Sequence, residues 1–192
     1  MNASGLWSRH RRIVLVLIFL TILLCLIQWS GLRQHFSVAF LRLTLLGSRW
    51  EGLAVFVVLF SLGNLVQVPG WIFLASAVLV LGKVNGGLVT YVASCISCAL
   101  TFLSIRWVSG ETVLQLPGKW ARALLSQLHT HPVRNVIVLR TLFQTFAALN
   151  YTLAMSGIRF RHYMVATLLG LPLPIAAYCV LFDYIEKITN LG

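Results

Sequence analysis

The sequence predicts an all-α integral membrane protein with about three full transmembrane helices, two oppositely inserted re-entrant helical hairpins, and interfacial amphipathic helices. Three observations predict it. Of the 192 residues, 59% are hydrophobic and only 10% are charged, where soluble chains average roughly 45–50% and about 25%. Mean hydropathy is +0.89. The uncharged residues fall in long runs, two of which are broken near their middle by polar residues, glycine or proline. These features exclude a disordered tail, a collagen-like fibre and an ordinary soluble domain. The net charge of +11 comes from 15 basic and 4 acidic residues. In a membrane chain such an excess sets topology and lipid contact, so membrane lipids are the expected partners and no nucleic acid is.

The elements follow in order. Residues 1–12 carry Arg9, His10, Arg11 and Arg12 and are read as a basic cytoplasmic N-terminus. Residues 13–30 are 18 in a row without charge, about 27 Å as a helix against a hydrocarbon core of about 30 Å. A signal peptide shares this pattern. The exit Gln28-Trp29-Ser30-Gly31-Leu32-Arg33 has no A-x-A-like site, however, so an uncleaved transmembrane anchor is expected. Across residues 31–50, His35, Arg42 and Arg49 recur every seven residues, with Phe36, Phe40, Leu43 and Leu46 among them. This spacing predicts an amphipathic interfacial helix. An extramembrane loop helix is the alternative.

Residues 51–186 form the expected membrane domain. Its first run, 52–82, has 31 uncharged residues and holds Gly63, Asn64, Pro69 and Gly70 at its centre. Proline removes a backbone donor, so a hairpin or a span plus half-helix fits better than one straight helix. Lys83-Val84-Asn85-Gly86-Gly87 reads as the next turn. Residues 84–105 give a second span, ended by Arg106 and Trp107. Residues 111–131 are polar and basic, with Lys119, Arg122, Ser126 and His129 on one helical stripe, and the positive-inside rule places them in the cytoplasm. Residues 135–158 are apolar except for Arg140, Gln144 and Asn150 and have basic flanks on both sides, as a second hairpin would. Residues 163–182 form a last span containing Pro172 and Pro174. Residues 187–192 are a tail placed outside. Trp29, Trp50 and Trp107 sit at segment ends, as an aromatic belt would. Two oppositely inserted broken segments are the mark of an inverted-repeat transporter site. Arg33, Arg42 and Arg49 fall outside in this arrangement, against the positive-inside rule.

Arg140 is the sharpest candidate, because a cation within an apolar segment is a functional-site hypothesis by default. A lipid phosphate is its expected partner, since guanidinium binds phosphate bidentately. Snorkelling toward Arg134, about 9 Å away along a helix, is the alternative. Arg106 reads equally as a substrate contact or a topology anchor. Pro69 and Gly70 start a half-helix whose free N–H groups face a phosphate, or else mark a plain kink. Gln144 and Asn150 cap the second break and touch substrate, or hydrogen-bond between helices. Glu51 is the proton-coupling candidate, with placement at the interface as the alternative. Cys95-Ile-Ser-Cys98 lies mid-span, where a packing face is favoured over a redox pair. Cys25 and Cys179 also sit in apolar runs, so all four cysteines are read as reduced packing residues. His10, His35, His129, His131 and His162 are scattered, and no metal, cofactor or enzyme chemistry is expected.

The order of several short motifs resembles one family. Val68-Pro69-Gly70 precedes an apolar run that ends in the glycine-rich stretch 82–87. Phe102, Arg106 and Gly110 follow, then Arg140, Asn150-Tyr151, Gly157, Gly170 and Pro172. This pattern, over roughly residues 47–182, resembles the DedA superfamily of VTT-domain or SNARE-associated Golgi proteins. The Asn150-Tyr151 pair is most similar to its Tvp-like branch. The resemblance implies two facing re-entrant hairpins, a lipid-handling role, and substrate contacts that include Tyr151. The chain departs from the pattern after Arg140, where the usual prolines are replaced by Thr-Leu-Phe-Gln-Thr-Phe. It departs again at Trp71, where many members carry an acid, and this weakens a proton-coupled reading.

The function expected is a membrane lipid translocator, of the phospholipid or polyprenyl-phosphate flippase or scramblase kind. Its headgroup site would lie between the hairpins. A small-solute or anion transporter and a non-transporting membrane-organising protein are the alternatives. A bacterial inner (plasma) membrane fits the short loops, and a homo-oligomer is compatible with all three readings.

Overall fold

The structure is a computed structural model that describes residues 49–65, 68–109, 130–144 and 146–189, with isolated positions 18, 21, 22, 25 and 29. The basic N-terminus, most of the anchor 13–30, most of the amphipathic segment 31–50, and the basic stretch 111–129 lie outside the described residues. The isolated anchor positions are helical and exposed.

Among the described residues all regular structure is helical. The elements are α1 (Arg49–Leu65), α2 (Gly70–Ser109), α3 (Pro132–Phe143), α4 (Ala147–Met155), α5 (Phe160–Gly170) and α6 (Pro172–Thr189). Two stretches are long and apolar enough to cross a membrane, Gly70–Ser109 and Phe160–Ile185.

Helix α1 begins with Glu51 in its first turn, where a carboxylate complements the helix dipole. It ends before Pro69, which biases Val68 away from helical backbone. The Val68 N–H turns back to the Gly63 carbonyl at 2.8 Å. After this short break α2 packs against α1. Phe56, Phe60 and Phe73 interlock there, with Phe60 and Phe73 ring centroids 4.7 Å apart. The arrangement is a helical hairpin.

The 40 residues of α2 do not form one rod. Gly82 has φ 77° and ψ 168°, a backbone that L side chains rarely adopt. Beyond it the chain folds back, and a methyl added at Gly86 would sit 2.5 Å from the Ala77 carbonyl oxygen. A straight helix would hold those two residues about 13 Å apart. So α2 has a short arm, residues 70–81, and a long arm, residues 83–109. This corrects the expected turn over Lys83-Val84-Asn85-Gly86-Gly87. Gly82 alone makes the turn, and the following glycines are helical and used for close approach. Gly86 meets the Ala77 and Val78 backbone, and Gly87 faces the Cys179 sulfur of α6.

The long arm of α2 and the α5–α6 pair are the two long elements, and they run in opposite directions. At one end Lys83 pairs with Asp183 at 3.4 Å, and Lys187 joins the same carboxylate at 3.1 Å. At the other end Arg106 bonds the Ile158 carbonyl at 2.6 Å, and the Phe102 ring lies 5.6 Å from that of Phe160. The last span is broken at Leu171–Pro172. Pro172 has no N–H for the Leu168 carbonyl one turn back. The Tyr91 hydroxyl donates to that oxygen instead, at 3.0 Å.

The first hairpin, α1 with the short arm, stands on the Lys83 end. The second, α3 and α4 joined through residues 144–146, stands on the Arg106 end. Helix α3 packs on α5, and α4 packs on α2. Val136 shares one apolar cluster with Phe102, Ile105, Ile158 and Tyr163. Replacing Gly86 by alanine should force two backbones apart and cost about 1–3 kcal/mol. Thermal unfolding of the purified protein in detergent should show the midpoint falling by several degrees; an unchanged midpoint would refute the fold-back.

Candidate functional site

The two hairpin tips meet beside the middle of the long arm of α2. Ser97 lies about 21 Å from Lys83 and about 18 Å from Ser109 along that helix. There a chain of hydrogen bonds joins five elements. Arg140 of α3 donates from Nη2 to the Tyr163 hydroxyl of α5 at 2.6 Å. That hydroxyl faces two acceptors, Asn150 Oδ1 of α4 at 3.2 Å and the Cys98 carbonyl of α2 at 3.1 Å. Asn150 donates from Nδ2 to Asn64 Oδ1 of α1 at 3.1 Å. Asn64 donates from Nδ2 to Ser97 Oγ of α2 at 2.8 Å. Next to this chain Tyr151 donates its hydroxyl to the Leu65 carbonyl at the open end of α1. The first hairpin thus has its free C-terminal groups met by the second.

Arg140 heads the large side chains that are fully buried among the described residues, at 0% exposure. It sits in the last turn of α3, where a cation complements the helix dipole. Its Nη1 donates to the Gln144 carbonyl at 3.0 Å. Gln144 can offer that carbonyl because its φ of 49° turns the chain at the end of α3. The guanidinium also lies 5.1 Å from the Tyr163 ring centroid. Every one of these contacts leads toward the hairpin tip and none toward position 134, so the group does not snorkel. The described ion pairs both belong to Asp183, and no carboxylate neutralises Arg140 among the described residues. Arg140 Nε and Gln144 Nε2 are buried donors without a partner among the described residues. An unpaired guanidinium N–H and an unpaired amide N–H are both donors, of the kind that the oxygens of an anion accept from.

The structure brings Arg140, Gln144, Asn150 and Tyr151 together. Pro69 and Gly70 lie at the other tip, where Pro69 is exposed and opens the short arm; its carbonyl accepts from Ile72 N–H at 3.2 Å. Arg106 is elsewhere. It stands about 12 Å along α2 from Cys98, stacked 5.4 Å from the Phe102 ring centroid, and its bond to Ile158 ties α2 to the turn before α5. Glu51 is exposed and about 20 Å along α1 from Asn64, outside the buried chain. Cys98 is a free thiol at 0% exposure, 3.8 Å from Asn150 Oδ1. Among the described residues no group of three or more metal-ligating side chains occurs.

Sequence reasoning missed Tyr163, which reads as a boundary aromatic at the start of a span. It used Asn64 only as a helix breaker. Asn64 and Tyr163 both belong to uncharged runs, so neither has a charge beside it in sequence to mark the partner it meets in the fold. Gly170 was recognised only by its place in the motif order. It allows the close approach on which the site rests, for a methyl there would lie 2.8 Å from Arg140 Cβ and 3.2 Å from the Ile137 backbone.

Two outcomes test this geometry. Gly170→Ala should push α5 from α3 and cost about 1–3 kcal/mol, read as a lower unfolding midpoint. Arg106→Gln should remove a charge-assisted bond to a backbone carbonyl and cost about 1–2 kcal/mol. A midpoint equal to wild type in either case would contradict the contact described.

A search of curated proteins and one of solved structures each return no match. A family model described as the VTT domain matches residues 68–184, from the break before α2 into α6 and more than half of the chain. That match covers Arg140, Gln144, Asn150, Tyr151, Tyr163, the long arm of α2, α5 and most of α6, and by it the chain belongs to the VTT-domain family, the membrane-associated DedA and SNARE-associated Golgi proteins.

Proposed function

We propose that the protein is a membrane lipid translocator, of the phospholipid or polyprenyl-phosphate flippase or scramblase kind. Arg140 is its phosphate-binding residue. The observation that carries this reading is a fully buried guanidinium that meets no carboxylate among the described residues, and whose Nε, like the Gln144 side-chain amide, is an unpaired donor among them. Placed at mid-membrane, such a cation is costly, by about 2.5–3.5 kcal/mol or more. An anionic oxygen cluster reaching it would offset that cost. The reading takes the two hairpins as re-entrant from opposite faces, so that their tips mark the midplane, as in inverted-repeat transporters. A headgroup crossing hydrocarbon would find there a strong partner for its phosphate. Asn150 is joined to Arg140 through Tyr163, Tyr151 follows it on α4, and the reading counts Pro69 and Gly70, at the tip of the first hairpin, among the groups a headgroup meets.

The same reading takes the membrane as a bacterial inner membrane, from the short loops, and the N-terminus as cytoplasmic, from the basic cluster before residue 13. Assignment to the Tvp-like branch rests on the Asn150-Tyr151 pair. Glu51, exposed and remote from Arg140, gives little support to proton coupling. No enzyme chemistry forms part of the proposal.

The test is lipid scrambling in proteoliposomes, with headgroup-labelled phospholipid or polyprenyl phosphate and an impermeant quencher. Wild type should expose label from the inner leaflet. Arg140→Ala should abolish this, and Arg140→Lys, which keeps charge but loses the fork, should slow it by about tenfold. Label confined to the inner leaflet with wild-type protein would refute lipid translocation. Arg140-dependent phosphate or chloride flux in the same vesicles would then assign the site to an anion transporter.

A further inference from the structure

A site with no accessible surface cannot be loaded unless something opens. Arg140 is 0% exposed, and so are Tyr163 and Asn150; Asn64 is 4% exposed. The described side-chain hydrogen bonds that hold the two hairpin tips together are those from Asn150 to Asn64 and from Tyr151 to the Leu65 carbonyl. Only the first is wired to Arg140, through the Tyr163 hydroxyl. We propose that Asn64 and Asn150 form a latch between the hairpin tips, and that Tyr163 makes the latch respond to an anion at Arg140. The proposal rests on the reading of Arg140 as a phosphate site.

The chemistry is a competition for one guanidinium. A phenol oxygen has one proton and two lone pairs. In the latched state it accepts from Arg140 Nη2, which polarises its one O–H, shared between Asn150 Oδ1 at 3.2 Å and the Cys98 carbonyl at 3.1 Å, and so strengthens what it donates to Asn150. A phosphate oxygen is the better acceptor, because it carries negative charge and its group can take the guanidinium by two parallel bonds, which a phenol cannot. An anion that draws the guanidinium away therefore removes the donor behind Tyr163. Asn150 then keeps Asn64 by a neutral amide pair, a weak contact in an apolar interior. The latch loosens when an anion arrives and closes when it leaves. Tyr163 and Asn64 are thus positioning residues: neither holds the phosphate, and each acts through Arg140 or Asn150.

Cys98 is a built-in reporter. Its thiol is fully buried and lies 3.8 Å from Asn150 Oδ1, directly behind the latch. The full chain carrying Cys25→Ala, Cys95→Ala and Cys179→Ala keeps it as the single thiol. The experiment measures its rate of reaction with a small membrane-permeant thiol reagent, in detergent micelles free of phospholipid. Inorganic phosphate is added in one arm and a short-chain phospholipid in another. Without either, labelling should be slow. One or both additions should accelerate it, and Arg140→Ala should not respond. Acceleration by phospholipid alone assigns the phosphate source to a lipid headgroup; acceleration by inorganic phosphate assigns it to a free anion as well. Asn64→Leu and Tyr163→Phe should each speed labelling by about three- to tenfold without any ligand. Should Asn64→Leu fail to fold, Tyr163→Phe decides, because it keeps the ring against Phe102.

The latch is overturned if folded Tyr163→Phe labels at the wild-type rate. The link to the anion is overturned if neither addition changes the wild-type rate. These outcomes are separable from those for lipid movement. Anion-dependent exposure of Cys98 in a protein that moves no lipid leaves the latch standing and removes the translocator. Arg140-dependent lipid movement with unchanged Cys98 exposure does the reverse.

Discussion

A guanidinium kept out of water has five N–H groups to satisfy, and acceptors must approach it from several directions at once. That requirement organises the centre of this protein. Arg140 takes one acceptor from its own helix end and one from α5. The first exists because Gln144 leaves helical backbone and turns its carbonyl inward. The second exists because Gly170, lacking a side chain, lets the last long element close on α3. Tyr163 then passes the demand to Asn150, which needs an acceptor of its own and finds it on the opposite hairpin.

The broken helices follow the same logic. A helix that stops inside an apolar layer leaves carbonyls and N–H groups without partners. Here α1 stops at Leu65, and Tyr151 donates its hydroxyl to the terminal carbonyl. The proline-interrupted last span leaves the Leu168 carbonyl free, and Tyr91 meets it. In each case a tyrosine hydroxyl on a neighbouring helix replaces the missing backbone donor. The phenyl body remains at home among apolar side chains while the tip serves a polar need.

Much of the architecture was legible in the sequence because its signals are local. Long uncharged runs give helices; Pro69 with Gly70 locates one break, and Gln144 locates the other. Arg140 stands out as a charge in an apolar run. What escaped depends on partners far along the chain. A pair such as Gly86-Gly87 has the same look whether it turns the chain or lets two helices touch, and only the position of Ala77 and Cys179 decides. Tyr163 resembles an ordinary boundary aromatic until Arg140, 23 residues earlier, is seen to reach it. Asn64 is a plausible helix breaker until Asn150, 86 residues later, is placed against it. Tertiary pairing of this kind has no short-range signature.

That separation also bears on how the molecule is assembled. When residues 49–109 have left the ribosome, the first hairpin and its neighbouring span can pack through Phe56, Phe60 and Phe73. The Leu65 carbonyl and the Asn64 side-chain oxygen still await partners that have yet to be synthesised. Contacts so distant in sequence form late and slowly, because the intervening chain must first be ordered. The first hairpin therefore spends part of its biogenesis with unsatisfied polar groups at its tip, and the arrival of α4 completes it. The two halves of the domain are made in succession but mature together, the later one supplying the groups that finish the earlier.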